Sequence, residues 1–220
     1  MKPAREQQLH MKLVGDLLQF LNNHSDAFVL KGGTALMLCY GLDRFSEGID
    51  LDMLSQNNKD DLQNILKQYC SNTGFSFKVI KQTNTTDRYV LHYSDIQMVK
   101  IEISRRKLAT SENIKKINGI QVYDIDTLCI LKKGTYDNRM RLRDLYDLVF
   151  ICSNYWNELS PAVKTSVVES LSRDTLERFD YIIKEGRDDY IDTNKLGIRL
   201  LSLLHELGLL DNRREQENER

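Results

Sequence analysis

Residues Leu30 to Asp52 read LKGGTALMLCYGLDRFSEGIDLD, and the two ends of this stretch carry the fold. The first end completes a short β-prone apolar run, Phe28-Val29-Leu30, which stops at Lys31-Gly32-Gly33-Thr34 before a helical pattern resumes from Ala35 to Tyr40. The order is strand, glycine turn, helix. Glycines let a backbone approach a phosphate closely, and a helix N-terminus offers free amides to an anion; the same turn also serves purely structural ends. At the other end, Ile49-Asp50-Leu51-Asp52-Met53-Leu54 alternates apolar and acidic residues at the period of a strand, so both carboxylates project from one face. Two such acids can jointly hold Mg²⁺ against a triphosphate, and a solvated edge strand is the plainer alternative.

Upstream, Leu13, Val14, Leu17, Leu18 and Leu21 form one face of a helix running from about Arg5 to Asn23. Downstream, a helix is expected from Lys59 to about Cys70, followed by an antiparallel meander of strands at Phe75 to Ile80, Tyr89 to Tyr93 and Met98 to Ile103. A last strand, Gln121 to Tyr123, follows the Asn118-Gly119 turn signal. Within Val99-Lys100-Ile101-Glu102-Ile103, Glu102 is an acid amid apolar residues, costly to bury ionised unless a cation or donor compensates it. A glycine turn, a paired acid on the next strand and a third acid on a later one make the layout of a two-metal nucleotidyl-transfer site, with ions about 4 Å apart clamping the attacking and leaving oxygens.

From Ile125 onward the pattern is helical, at Asp126 to Asp137, Arg141 to Cys152, Pro161 to Ser172 and Asp192 to Leu209. The expected domains are therefore 1–124 and 125–220, with the polar tail Asp211 to Arg220 frayed. Composition agrees with an ordered globular chain: 41% of the 220 residues are hydrophobic, 29% are charged, and only two are proline. No stretch approaches the roughly 20 apolar residues of a membrane span, and the first residues lack a signal-peptide core, so a cytoplasmic protein with no membrane partner is expected. Cys39, Cys70, Cys129 and Cys152 match neither a zinc knuckle nor a redox pair and read as buried free thiols, and His10, His24, His92 and His205 show no metal-ligand spacing. The net charge of -1 gives no global attraction to nucleic acid. A local patch is then required, and Arg105-Arg106-Lys107, supported by Lys115 and Lys116, is the candidate guide for an RNA backbone, against the alternative of a solvated loop.

The Leu30–Asp52 stretch closely resembles the nucleotidyltransferase signature of the AbiEii/AbiGii toxin family, within the polymerase-β-like nucleotidyltransferase superfamily. A second segment, Leu131 to Leu148 (LKKGTYDNRMRLRDLYDL), resembles the family's later motifs: Lys132 takes the place of its lysine, Arg139 of its arginine, and Arg143, Asp144 and Asp147 of an Arg-Asp-x-x-Asp element. Together with Lys100-Ile101-Glu102, the matched motifs spread over about half the chain. The resemblance implies an α+β fold, a polymerase-β-like domain with a mixed, mostly antiparallel sheet followed by a C-terminal helical bundle that completes the active-site cleft. It makes Lys31, Gly32, Gly33, Thr34, Arg44 and Ser46 nucleotide contacts. Asp50, Asp52 and Glu102 become the ligands of Mg²⁺ or Mn²⁺, and Lys132 the contact to the triphosphate. A mobile point charge suits that last role as negative charge moves to the leaving group. Arg143, Asp144 and Asp147 become supporting residues, although Arg143 and Asp147 are also spaced as a simple helix ion pair.

The implied activity is transfer of a nucleoside monophosphate from an NTP to an acceptor, with the 3′ end of a tRNA the expected one and a cognate antitoxin, protein or RNA, the expected partner. One departure matters. The family usually reads Ser-Glu-Asp-Ile-Asp where this chain reads Ser46-Glu47-Gly48-Ile49-Asp50, so its first metal-binding aspartate is replaced by Gly48. Either the metal pair is weakened or Asp50 and Asp52 share its work. Two alternatives stay open: a catalytically weakened nucleotide-binding module, and an enzyme that places the nucleotide on a protein hydroxyl.

Overall fold

The computed structural model describes residues 4–54, 61–106 and 109–210. The start of the helix expected from Lys59, the basic residue Lys107 and the polar tail lie outside these residues. The chain divides into two compact units, one up to Asp124 and one from Ile125.

The first unit is built on a seven-stranded mixed sheet. Its elements in chain order are α1 (Ala4–His24), β1 (Phe28–Lys31), α2 (Gly32–Cys39), β2 (Gly48–Met53), α3 (Asp61–Thr73), β3 (Ser76–Gln82), β4 (Thr86–His92), β5 (Met98–Ser104), a 3₁₀ turn at Ser111–Asn113, β6 (Ile114–Ile117) and β7 (Ile120–Tyr123). The strand order is β3-β4-β5-β2-β1-β7-β6. The expected meander is β3-β4-β5, antiparallel throughout, and β1–β2 and β6–β7 are antiparallel as well. Two pairings are parallel, β2 with β5 and β1 with β7. Parallel neighbours need long crossovers, and here α3, β3 and β4 lie between β2 and β5 in the chain.

Central β1 is buried along Phe28, Val29 and Leu30, which explains its unbroken apolar run. In β5 the alternation is complete: Val99, Ile101 and Ile103 are buried, while Met98 and Lys100 are exposed on the other face. Helix α1 turns Val14, Leu17, Leu18 and Leu21 inward. Strand β6 adds to the expected set, because Ile114-Lys115-Lys116-Ile117 is short and half basic and gives little alternation to read. The Asn118-Gly119 turn closes it onto β7, both turn residues having positive φ as such hairpins require.

The second unit is helical: α4 (Ile125–Arg139), α5 (Leu142–Tyr155), a 3₁₀ turn at Trp156–Glu158, α6 (Pro161–Ser172), α7 (Leu176–Glu185) and α8 (Thr193–Glu206). Helix α5 is its centre. It is buried at Leu142 and without a break from Asp144 to Cys152, the acids Asp144 and Asp147 included, and it packs on α4 and α8. Helix α7 is a second addition to the expected elements. Its apolar residues Phe179 and Ile182 are buried, and Thr175 caps it by accepting a hydrogen bond from the Arg178 amide at 3.3 Å. Helix α8 is capped in the same way by Asp192, which accepts from the Lys195 amide at 3.0 Å. Among the described residues no helix is long and apolar enough to cross a membrane.

Candidate active site

The glycine turn is the first turn of α2 itself, rather than a loop ahead of it. Gly32 has φ +77°, a left-handed conformation that lets the chain pass from strand to helix within one residue. The turn is packed against the segment leading into β2. A Cβ built on Gly32 would stand 2.7 Å from Asp50 Oδ2, and one on Gly33 would stand 2.9 Å from both an Arg44 guanidinium nitrogen and Ser46 Oγ. Thr34 Oγ1 lies 3.0 Å from Ser46 Oγ and also donates to the Gly48 carbonyl. Gly32, Gly33, Thr34, Arg44, Ser46 and Asp50 are thus one constellation. Arg44 is buried, with Nη1 donating to the Phe45 carbonyl at 3.1 Å.

Register places the acids. Asp50 lies opposite Glu102 of β5 on one side and Lys31 of β1 on the other, so all three share a face of the sheet. Asp50 is exposed, whereas Glu102 is half-buried and accepts from Arg88 Nε at 2.6 Å. Asp52 differs. It is only 6% exposed, and Lys31 Nζ at 2.6 Å and the Tyr123 hydroxyl at 3.0 Å engage its two oxygens separately. Burial, and then the neighbouring Asp52 charge, push the Tyr123 phenol up, which keeps it a hydrogen-bond donor. Among the described residues no three His, Cys, Asp or Glu side chains converge as metal ligands. Asp50 and Glu102 stand side by side on adjacent strands as hard oxygen donors of the kind a divalent cation takes.

Gly48, where the sequence departs from its resemblance, lies opposite Lys100 in β5. A recess of about 220 Å³ lined by Glu47, Gly48, Ile96, Gln97, Met98 and Lys100 opens at this point. A Cβ on Gly48 would meet only the Lys100 carbonyl oxygen, at 3.6 Å, so an aspartate side chain has room to begin there.

His10 belongs to this setting and has no sequence signal beyond a helical position. Fully buried on α1, it places Nδ1 2.6 Å from the Tyr93 hydroxyl and Nε2 3.0 Å from the Glu47 carbonyl, tying α1 to the residue before β2. Of the expected basic guide, Arg105 is buried and donates to Asp87 at 2.5 Å, Arg106 is exposed, and Lys115 and Lys116 lie on β6 at one edge of the sheet. Cys39 and Cys70 are only partly buried, against expectation; Cys129 and Cys152 are buried.

The later motif residues lie in the second unit. Lys132 Nζ is 2.5 Å from Asp147 Oδ2, and Asp147 is fully buried. Arg139 pairs with Asp144 at 3.2 Å. Asp144 Oδ2 has no hydrogen-bond partner among the described residues. Arg143 and Asp147, spaced for a helix ion pair, also reach beyond their own helix: Arg143 to Asp188, Asp147 to Lys132.

The family model of the AbiEii toxin, a nucleotidyl transferase of a type IV toxin–antitoxin system, matches residues 16–204. The chain belongs to the AbiEii nucleotidyltransferase toxin family. Its fold is shared with JHP933 of Helicobacter pylori, 24% identical over 99% of each chain with a TM-score of 0.76. It is shared more distantly with the nucleotidyltransferase toxin MenT4 of Mycobacterium tuberculosis, 18% identical over 86% of this chain and 70% of that one, with a TM-score of 0.50. No curated protein matches. Membership of the AbiEii family makes the protein a nucleotidyltransferase of toxin–antitoxin type, and the mixed sheet followed by helices is the architecture expected of it.

Proposed function

We propose that this AbiEii member transfers a nucleoside monophosphate from an NTP to the 3′ end of a tRNA, with release of pyrophosphate. The observation that carries this reading is the Asp50 carboxylate standing against the Cα of Gly32 at the first turn of α2, with Glu102 beside it on the next strand. A phosphate received by the amides of that turn meets the acids at once. Asp50 and Glu102 would hold one divalent cation, Mg²⁺ or Mn²⁺, which when bound offsets charge on the phosphates. Asp52 holds Lys31, whose ammonium retains further donors for a phosphate oxygen. Thr34 and Ser46 fix the segment entering β2. Asp147 holds Lys132, the ammonium that this reading assigns to the triphosphate. An antitoxin partner follows from the family.

The lack of a three-acid cluster among the described residues favours one second reading, a nucleotide-binding module whose catalysis is weakened at Gly48. One experiment separates the two. The full chain, Asp50→Ala and Gly48→Asp are each incubated with total tRNA, Mg²⁺ and one α-labelled NTP at a time. Label in tRNA that Asp50→Ala abolishes is the expected result. Label with Gly48→Asp alone establishes the weakened module, and no label with any variant overturns the transfer reading.

A further inference from the structure

The sheet face that carries Asp50 continues outward across β5, β4 and β3, and its side chains can be read from the register. Directly opposed residues point to the same side. One row runs Gly48, Lys100, Val90, Lys78, and the next runs Asp50, Glu102, Arg88, Lys81. Lys78 and Lys81 are three residues apart and in a regular strand would face opposite ways. The irregularity between Val79 and Lys81 prevents this: Lys78 stands opposite Val90 and Lys81 opposite Arg88, two positions apart on β4, so the bulge at Ile80 brings both lysines to the Asp50 side.

Lys78, Lys81 and Lys100 are exposed, and none makes an ion pair among the described residues. Arg88 is about half exposed and shares its charge with Glu102. Among the described residues the acids on or at the rim of this surface are Asp50, Glu102, Glu47 and Asp95, with Asp52 on the same face but buried against Lys31 and Tyr123. Beside Lys78 lies a second recess, of about 420 Å³, lined by Phe75, Ser76, His92 and Tyr93 among others. Cations spaced across a sheet at about 5 Å per strand, with recesses between them, suit a chain of phosphates carrying planar bases.

We propose that the open face of β3, β4 and β5 is a track for single-stranded polynucleotide, in which Lys78, Lys81, Arg88 and Lys100 hold the phosphates of the acceptor's end on its way to Asp50. The inference rests on the transferase reading only for the direction of travel; binding itself is independent of it. The net charge of -1 makes such a local surface necessary, because the whole chain offers no attraction.

The test is fluorescence anisotropy of a labelled single-stranded RNA with the full chain, without NTP or metal, over a series of salt concentrations. Lys78→Glu, Lys81→Glu and Lys100→Glu are each expected to weaken binding roughly fivefold to tenfold and to reduce the salt slope by about 0.7 per lost contact. The double variant Ile80→Lys with Lys81→Ile keeps the charge and composition while displacing the ammonium to the bulge, and it is expected to bind like Lys81→Ala. Lys115→Glu on β6 is the control for net charge. Equal weakening by Lys115→Glu, unchanged binding in the track variants, or displacement of the RNA by polyglutamate as effectively as by unlabelled RNA overturns the proposal. Thermal melts confirm that each variant folds. RNA binding that depends on the track without nucleotide transfer supports the track while removing the transferase reading; transfer with track-independent RNA binding does the reverse.

Discussion

Asp50 and Asp52 share a face of β2, separated by one residue, but their surroundings give them different work. Asp50 is exposed against the glycine turn; Asp52 is closed off by Lys31 and Tyr123. Asp50→Asn is expected to abolish labelled transfer while changing stability by less than about 0.5 kcal/mol in urea unfolding, as an exposed substitution does. Asp52→Asn breaks a buried pair and is expected to cost about 3 kcal/mol in the same measurement. At Gly32, positive φ strains any residue with a Cβ, and a methyl group there would push the Asp50 carboxylate aside, so Gly32→Ala should lose about 1–3 kcal/mol and weaken NTP binding measured by calorimetry. Tyr123 gives the pH dependence. Its folded pKa is raised above the ordinary 10.0, so its contribution is complete below pH 10.0 and is lost as pH rises through the folded value. Tyr123→Phe is expected to be less stable at neutral pH and to have a flatter alkaline limb, seen in melts across that range.

At the scale of elements, strong periodicity is legible in the sequence and pairing is not. The alternation in β5 and the leucine face of α1 can be read because one buried face dictates residue type. β6 is hidden because Lys115 and Lys116 interrupt its four residues, and α7 because its buried residues are few. The glycine turn is legible as a turn, but its place inside α2 depends on the φ of Gly32. In the second unit, Lys132 and Asp147 are legible as motif residues, while their direct pairing between α4 and α5 is not. Asp147→Ala leaves that ammonium without its buried partner and is expected to destabilise the chain by about 3–5 kcal/mol in urea unfolding, with the tighter-packed Asp147→Asn recovering part of the loss.

For the whole molecule, the unit up to Asp124 has its own sheet and its own buried residues from α1, β1, β2 and β5. Residues 1–124 expressed alone are expected to unfold cooperatively, read by circular dichroism, because a unit with its own core can fold on its own. A broad, non-cooperative melt would count against this. The sequence by itself determined the strand–turn–helix opening, the acid strand, the change of character near residue 124 and the family, since those depend on local period, turn chemistry and motif spacing. Only the tertiary structure decided that Asp50 meets Gly32 and Glu102 while Asp52 is occupied by Lys31 and Tyr123, that Arg105 is buried, and that a bulge turns Lys81 toward the Asp50 face. These outcomes come from pairing between strands distant in the chain, whose register is set by the packing of the whole sheet and is not written in any local stretch.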